Sequence, residues 1–321
     1  MRLSMYQQKQ NLSYLSQLGI LIGLAGAGLL FGGILSIVIM LSQLGMTKAT
    51  NVEELFKPEN VNLIRWLQII STTFLFFIPS VVFARIVSKK PFQYLGYNKF
   101  LNLQQAILVI LIMIACLPVA GALAELTEKI PLSPNLIKKF KAAEEDYNKQ
   151  VQVLTLMKNS KDYILSMLII ALLPALFEET IFRGGLQNIL TRWTKIPILA
   201  IIITSIIFSA VHFSFYGLLS RAALGIVLGL IYYYSGNIWL NILAHMFNNG
   251  AAVTYMYLQT AKTGKPPVAD IETTMPLWSG AVALIILAGL IYVFIRISKP
   301  LKQKAEGEPP PPQEDNWMQD I

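Results

Sequence analysis

The chain has 321 residues, 55% of them hydrophobic and only 14% charged, with mean hydropathy +0.55 and a formal net charge of +8. A soluble domain carries about 25% charged residues, so this composition argues against a water-soluble globule and places lipid over most of the surface. The positive charge suits nucleic acid or an anionic membrane, but Lys and Arg lie mostly in loops between apolar runs, which points to membrane lipid and to no nucleic-acid partner.

A spanning helix needs about 20 mainly apolar residues. The runs that qualify are roughly 18–44, 64–86, 103–123, 163–190, 197–215, 218–235, 238–258 and 277–297. The fold class expected is therefore all-α: a polytopic membrane protein of about eight transmembrane helices, with both termini on one side. The first run exceeds the roughly 7–15 residues of a cleaved signal's apolar core, so it reads as a signal anchor. Lys and Arg in the short loops favour termini inside, although the long 124–162 loop cancels that bias. Cys116 stands alone in its run, giving neither a disulfide framework nor a Cys-based metal site. No long-period repeat is visible.

The 124–162 loop has a pattern of its own. Leu136, Ile137, Phe140, Ala143, Tyr147, Val151 and Leu154 recur at three- and four-residue spacing, which predicts an amphipathic helix. Lys141/Glu145 and Glu145/Lys149 are spaced for pairing on its polar face. Such a helix lies on the membrane surface, or it serves as a lid or substrate-docking element.

Ionisable residues inside a bilayer cost a few kcal/mol each and mark protein interiors or wet cavities. Three runs contain polar residues of this kind. The fourth holds Pro174, Glu178, Glu179 and Arg183. Glu179 and Arg183 are four apart and suited to an ion pair, which leaves Glu178 to face a cavity. Pro174 cannot donate to the carbonyl of Ile170, which loosens the helix one turn before the acids. The fifth run holds Phe208 and His212, and the seventh holds His245, Asn248 and Asn249. These are the chain's two histidines, and His245 and Asn249 share a helix face. At 1.5 Å per residue, Glu178, His212 and His245 each fall within roughly 10 Å of the centre of their run.

A carboxylate beside a histidine can activate water as a general base, and a second histidine with an amide can stabilise an oxyanion. Alternatively Glu178, His212 and His245 are three ligands for zinc or another divalent metal, with one position open for water. Both chemistries end in hydrolysis of a carbonyl compound. The same residues also fit a proton relay in a transporter, or the structure of a non-catalytic membrane partner.

The segments Glu178-Glu179-Thr180-Ile181-Phe182-Arg183, Phe208-Ser209-Ala210-Val211-His212 and His245-Met246-Phe247-Asn248-Asn249 resemble the three motifs EExxxR, FxxxH and HxxxN of the CPBP intramembrane proteases, relatives of the CAAX prenyl endopeptidase. The resemblance covers roughly 163–252. It implies an eight-helix core of conical or bundled form and an endopeptidase acting on a membrane-associated peptide or protein, CAAX-like or other. It assigns Glu178 and His212 to the hydrolytic water, His245 and Asn249 to the oxyanion or a metal, and Glu179 and Arg183 to support. Metal dependence stays open, and so does a transporter or an immunity or scaffold function. The organisation expected is a cytoplasmic segment 1–17, three spans within 18–123, the amphipathic segment 124–162, a catalytic core 163–258, a last span 277–297 and a disordered Pro-rich tail 298–321.

Overall fold

The computed structural model describes residues 12–98, 101–263 and 274–306. Within them the architecture is all-α and polytopic. The principal helices are α1 (Tyr14–Ala49), α2 (Pro58–Val87), α3 (Leu103–Glu128), α4 (Pro134–Leu154), α5 (Ser160–Thr194), α6 (Pro197–Ala210), α7 (Leu218–Ser235), α8 (Ile238–Thr263) and α9 (Leu277–Glu306). Six of these, α1, α2, α3, α5, α7 and α9, are long and apolar enough to cross a membrane, as befits a multi-pass membrane protein.

The remaining two expected spans are helical but differ from the other six. The fifth run yields α6, which ends at Ala210 rather than 215. Its 14 residues rise only about 21 Å, short of the roughly 30 Å hydrocarbon core. His212 therefore lies beyond the helix end, in a turn. The seventh run yields α8, long enough to span, but the polar Asn241, His245, Asn248 and Asn249 dilute its apolar surface.

Both ends also differ from expectation. α1 starts at Tyr14, capped by Ser13, whose hydroxyl accepts from the Ser16 N–H. α9 runs on to Glu306, into the segment expected as a disordered tail. Arg296, Lys299 and Lys302 suit the negative end of a helix dipole, and Lys302 Nζ donates to the Tyr233 carbonyl at 2.7 Å. The part of that tail beyond 306 lies outside the described residues, as do residues 1–11 of the N-terminal segment.

Two hydrophobic clusters organise the bundle. One joins α3, α7, α8 and α9 through Ile112, Met113, Leu228, Ile231, Leu240 and Phe294. The other joins α1, α2, α5 and α6 through Leu21, Phe83, Leu95, Phe182, Ile189 and Phe208. α5 lies where the two meet, because it also packs on α8 through Ala175, Ile238 and Ile242. The tight turn expected at 235–237 is present. Gly236 adopts φ +63 as the left-handed C-cap of α7, its N–H donating to the Tyr232 carbonyl, a conformation glycine takes without steric cost.

α4 forms as the spacing predicts, with Pro134 in its first turn and the Ser133 hydroxyl accepting from the Leu136 N–H. Its apolar stripe is only partly used. Leu136 and Ile137 are exposed, whereas Val153 and Leu154 are buried against Ile64 of α2. The expected partners of Glu145 are replaced by an exposed Lys149–Asp146 pair at 3.6 Å.

Candidate active site

α5 is not a uniform α-helix. It widens into π-helical turns at Met167–Leu172 and Thr180–Gln187, on either side of the segment Leu173–Glu179. π turns leave carbonyls without the ordinary i+4 partner and recur at functional sites. Pro174 adds to the effect, since it has no N–H to offer the Ile170 carbonyl. The Asn249 side-chain amide meets that oxygen instead, at 3.3 Å. In a membrane interior such a carbonyl must find a donor from a neighbouring helix. Asn249 thus ties α8 to α5 at the loosened turn, and its own oxygen accepts from Asn248 Nδ2 at 3.3 Å.

Glu179 is wholly buried and fully engaged. Its Oε1 lies 3.1 Å from Arg183 Nη1 and accepts from His245 Nδ1 at 2.9 Å, and its Oε2 accepts from Asn241 Nδ2 at 3.3 Å. Arg183, equally buried, donates through Nη2 to the Gly225 carbonyl at 3.2 Å and lies 4.7 Å over the Phe208 ring. The charges are therefore paired, which is how buried ions are tolerated, although Arg183 Nε and Nη1 make no hydrogen bond among the described residues.

The contact with α7 forms a ladder. Arg183 reaches the Gly225 carbonyl and, one turn on, Gln187 Nε2 donates to the Gly229 carbonyl at 2.9 Å. Asn241 adds a bond to the Leu228 carbonyl at 2.6 Å. Glycine at 225 is required for the close approach of α7 to α6. A Cβ on residue 225 would lie 2.9 Å from Ser205 Cβ and 3.0 Å from its Cα, so any larger residue would force α6 away from α7.

Glu178 differs from its neighbour. Its Oε2 is buried with no hydrogen-bond partner among the described residues. It lies 3.9 Å from His212 Nε2 and 3.9 Å from His245 Nε2. The histidine tautomers follow from their other ring nitrogens. His212 Nδ1 lies 2.8 Å from the Phe208 carbonyl, which can only accept, so Nδ1 carries the proton. His245 Nδ1 faces the Glu179 carboxylate and donates to it. In the neutral imidazoles both Nε2 atoms therefore present lone pairs, and they converge with the Glu178 oxygen on one slot. Side-chain exposure falls from 23% at His212 to 11% at Glu178 and 3% at His245, so the slot opens on the His212 side.

Three acceptors facing one another require a donor between them. A bridging water with hydrogen bonds of about 2.8 Å would span a 3.9 Å gap at an angle near 90°. Tetrahedral zinc, with ligands at about 2.0–2.1 Å, would draw the same atoms to roughly 3.4 Å. As the side chains stand the 3.9 Å spacing is wider than zinc ligation gives, and Glu178 Oε2 is closed off from solvent, so a hydrolytic water enters only where the side chains part. No group of three His, Cys, Asp or Glu among the described residues is gathered closely enough to hold a metal ion.

The structure thus brings Glu178, Glu179, Arg183, His212 and His245 together, and sets Asn249 one turn beyond His245 against Ile170. Asn241 was not singled out from the sequence, and Phe208 was named there only beside His212 and in the second motif. Asn241 completes a stripe at i, i+4 and i+8 with His245 and Asn249, a spacing that marks one helix face. Phe208 stands edge-on to both imidazoles, 5.0 Å from His212 and 5.8 Å from His245, as well as under Arg183. Only its place in the second motif hinted at this.

The chain matches the type II CAAX prenyl endopeptidase Rce1-like family over residues 160–251. It is 37% identical over 93 residues to an uncharacterized 24.3 kDa protein of Escherichia coli, covering 28% of this chain and 43% of that one. It is 33% identical over 90 residues to the uncharacterized protein YpbD of Bacillus subtilis (strain 168), covering 27% and 43%. The chain therefore spans less than half the length of these curated relatives. No solved structure matches it. The matched segment runs from the start of α5 to the polar face of α8 and contains every residue of the cluster, so the part of this multi-pass membrane protein that is similar to the type II CAAX prenyl endopeptidase Rce1-like family is the part that builds the site.

Proposed function

We propose that the protein is a membrane-embedded endopeptidase that hydrolyses a peptide bond of a membrane-associated substrate, CAAX-like or other. The observation that carries this reading is the slot in which Glu178 Oε2 lies 3.9 Å from His212 Nε2 and 3.9 Å from His245 Nε2. A water held there has its two protons directed at acceptors and a lone pair free for attack. The water oxygen bonds to the scissile carbonyl carbon while Glu178, assisted by His212, takes a proton. The oxyanion that forms is stabilised by hydrogen bonds, one of them from the Asn249 amide once it leaves the Ile170 carbonyl. Collapse breaks the C–N bond, and the proton held in the slot passes to the leaving amine. Glu179 keeps His245 in the required tautomer, and Arg183 holds Glu179 in place as its ion-pair partner.

The test is cleavage of a membrane-tethered peptide by the purified full chain in liposomes, comparing wild type with Glu178→Gln and His212→Gln. Loss of cleavage in both variants, with helicity and thermal stability retained, is the expected result. Cleavage undiminished in either variant overturns the reading. Elemental analysis of the same protein, with and without chelator, decides whether water alone occupies the slot. A stoichiometric divalent metal whose removal stops cleavage would replace the water-only mechanism with a metal-assisted one.

A further inference from the structure

α4 lies across the turn that carries His212. Its Phe140 ring stacks on Phe215, centroids 4.3 Å apart and planes within 3°. One turn on, Glu144 Oε2 accepts from the Ser214 hydroxyl at 2.8 Å. Next along the same face, the Tyr147 ring meets the Arg221 guanidinium at 5.1 Å. Residues 140, 144 and 147 are spaced i, i+4 and i+7, which places them on one helix face. Between 134 and 148 these residues and Asn148 are the half-buried ones, the others being exposed.

The partners belong to the His212 neighbourhood. Ser214 and Phe215 follow His212 by two and three residues, and Arg221 lies in the first turn of α7. The turn needs outside support. Phe213 takes φ +53, a region that a bulky residue rarely enters, and its side chain is exposed, so it contributes no packing of its own. The buried Ser214 hydroxyl holds the turn from within by accepting the Gly217 N–H at 3.2 Å, and it is the same hydroxyl that Glu144 fixes. The other end of α4 is anchored independently. Buried Arg65 of α2 donates to the carbonyl of Leu156 at 3.1 Å, to that of Leu154 at 3.5 Å and to the Ser166 hydroxyl of α5 at 3.2 Å.

We propose that Phe140, Glu144 and Tyr147 are positioning residues that hold the 211–217 turn so that His212 Nε2 faces Glu178, making the docked amphipathic helix part of what completes the site. Its catalytic consequence rests on the proteolytic reading, but the positioning itself can be measured without catalysis. The chain has two histidines, so ring-nitrogen NMR of the full chain, labelled with 15N-histidine, gives two imidazole signatures, assigned with His212→Gln. Glu144→Ala and Phe140→Ala should shift or broaden the His212 signals and leave those of His245 in place. Glu144→Gln should restore the wild-type spectrum, because its amide oxygen still accepts from Ser214.

Where cleavage is measurable, the two alanine variants should lose kcat on the order of tenfold to a hundredfold, the scale of a small misplacement of a reacting group, with KM little changed. Glu144→Gln should recover it. The proposal is overturned if His212 signals do not move in either alanine variant, if His245 moves equally, or if Glu144→Gln behaves as Glu144→Ala. A wild type that cuts nothing would fail the proteolytic reading while leaving these spectra to decide the positioning.

Discussion

α1 and α5 are both long helices that pass as membrane spans, of 36 and 35 residues, yet only 6% of the most apolar stretch of α1 is buried in the protein against 56% for α5. α1 carries no ionisable side chain between Tyr14 and Lys48. α5 carries Glu178, Glu179, Arg183 and Gln187, all buried. Hydropathy alone does not distinguish the two helices. The difference lies in what surrounds them: α1 borders lipid and has nothing to offer a charge, whereas α5 is enclosed by helices whose side chains and carbonyls act as a fixed solvent. Within α5 the same contrast recurs between neighbours, Glu179 with three partners and Glu178 with an oxygen left open.

The largest way to break this contrast is Arg183→Ala, which leaves the Glu179 charge buried without its ion pair. Removing one partner of a buried pair costs about 3–5 kcal/mol, so the variant should unfold at much lower temperature in detergent and accumulate poorly. Arg183→Lys should recover little, because one ammonium cannot serve Glu179, Gly225 and the Phe208 face together. A stable Arg183→Ala protein would show that the pair is dispensable.

The next effect separates the two glutamates. Glu178→Gln should reduce hydrolysis by roughly 10²–10⁴-fold, the usual contribution of a general base, without loss of stability. Glu179→Gln should lower stability as well. Equal melting temperatures for these two variants would erase the distinction drawn from their hydrogen bonds.

Gly225→Ala tests the α6–α7 packing behind the ladder that serves α5. The added Cβ meets Ser205 backbone and side chain at 2.9–3.0 Å, and overpacking of this kind costs about 1–3 kcal/mol, visible as a lower melting temperature. Gly33→Ala in α1 is the counterpart with the smallest expected change. No atom lies within 4 Å of its Cβ position, so stability should change by less than about 1 kcal/mol, in the direction of helix propensity. A large loss at residue 33 would mean that this face of α1 meets protein rather than lipid.

Most spans were legible because a bilayer demands long apolar runs, and the cluster was legible because polar residues in such runs are expensive. The α6 boundary was not. Val211, Phe213 and Phe215 extend the apolar composition past Ala210, while the helix ends there and the turn that follows takes φ +53 at Phe213. The role of Asn249 was read through its spacing from His245, and its bond to the carbonyl freed near Pro174 joins two features that the sequence showed only separately. The link between Glu144 and Ser214 spans 70 residues, and no periodicity along either segment could announce it. The choice of Glu144 over Glu145 is likewise a property of where α4 docks, not of its charge pattern.

The π turns of α5 bear on how this gene tolerates insertions and deletions. Each widened turn holds one residue more than an α-helix of the same length requires, so deleting a single residue from Met167–Leu172 would let the segment relax to α geometry. Residues on its two sides would then keep nearly the facing they have now, because the residue removed is the one that the wide turn absorbs. Ser166 would stay on the side of Arg65, to which it is hydrogen-bonded at 3.2 Å, while the Ile170 carbonyl would lose the widened geometry that presents it to Asn249. In a regular stretch of a span one missing residue turns everything beyond it by about 100°. The widened turns are therefore where α5 can absorb a change of length, and the regular stretch that carries Glu178 and Glu179 is where it cannot.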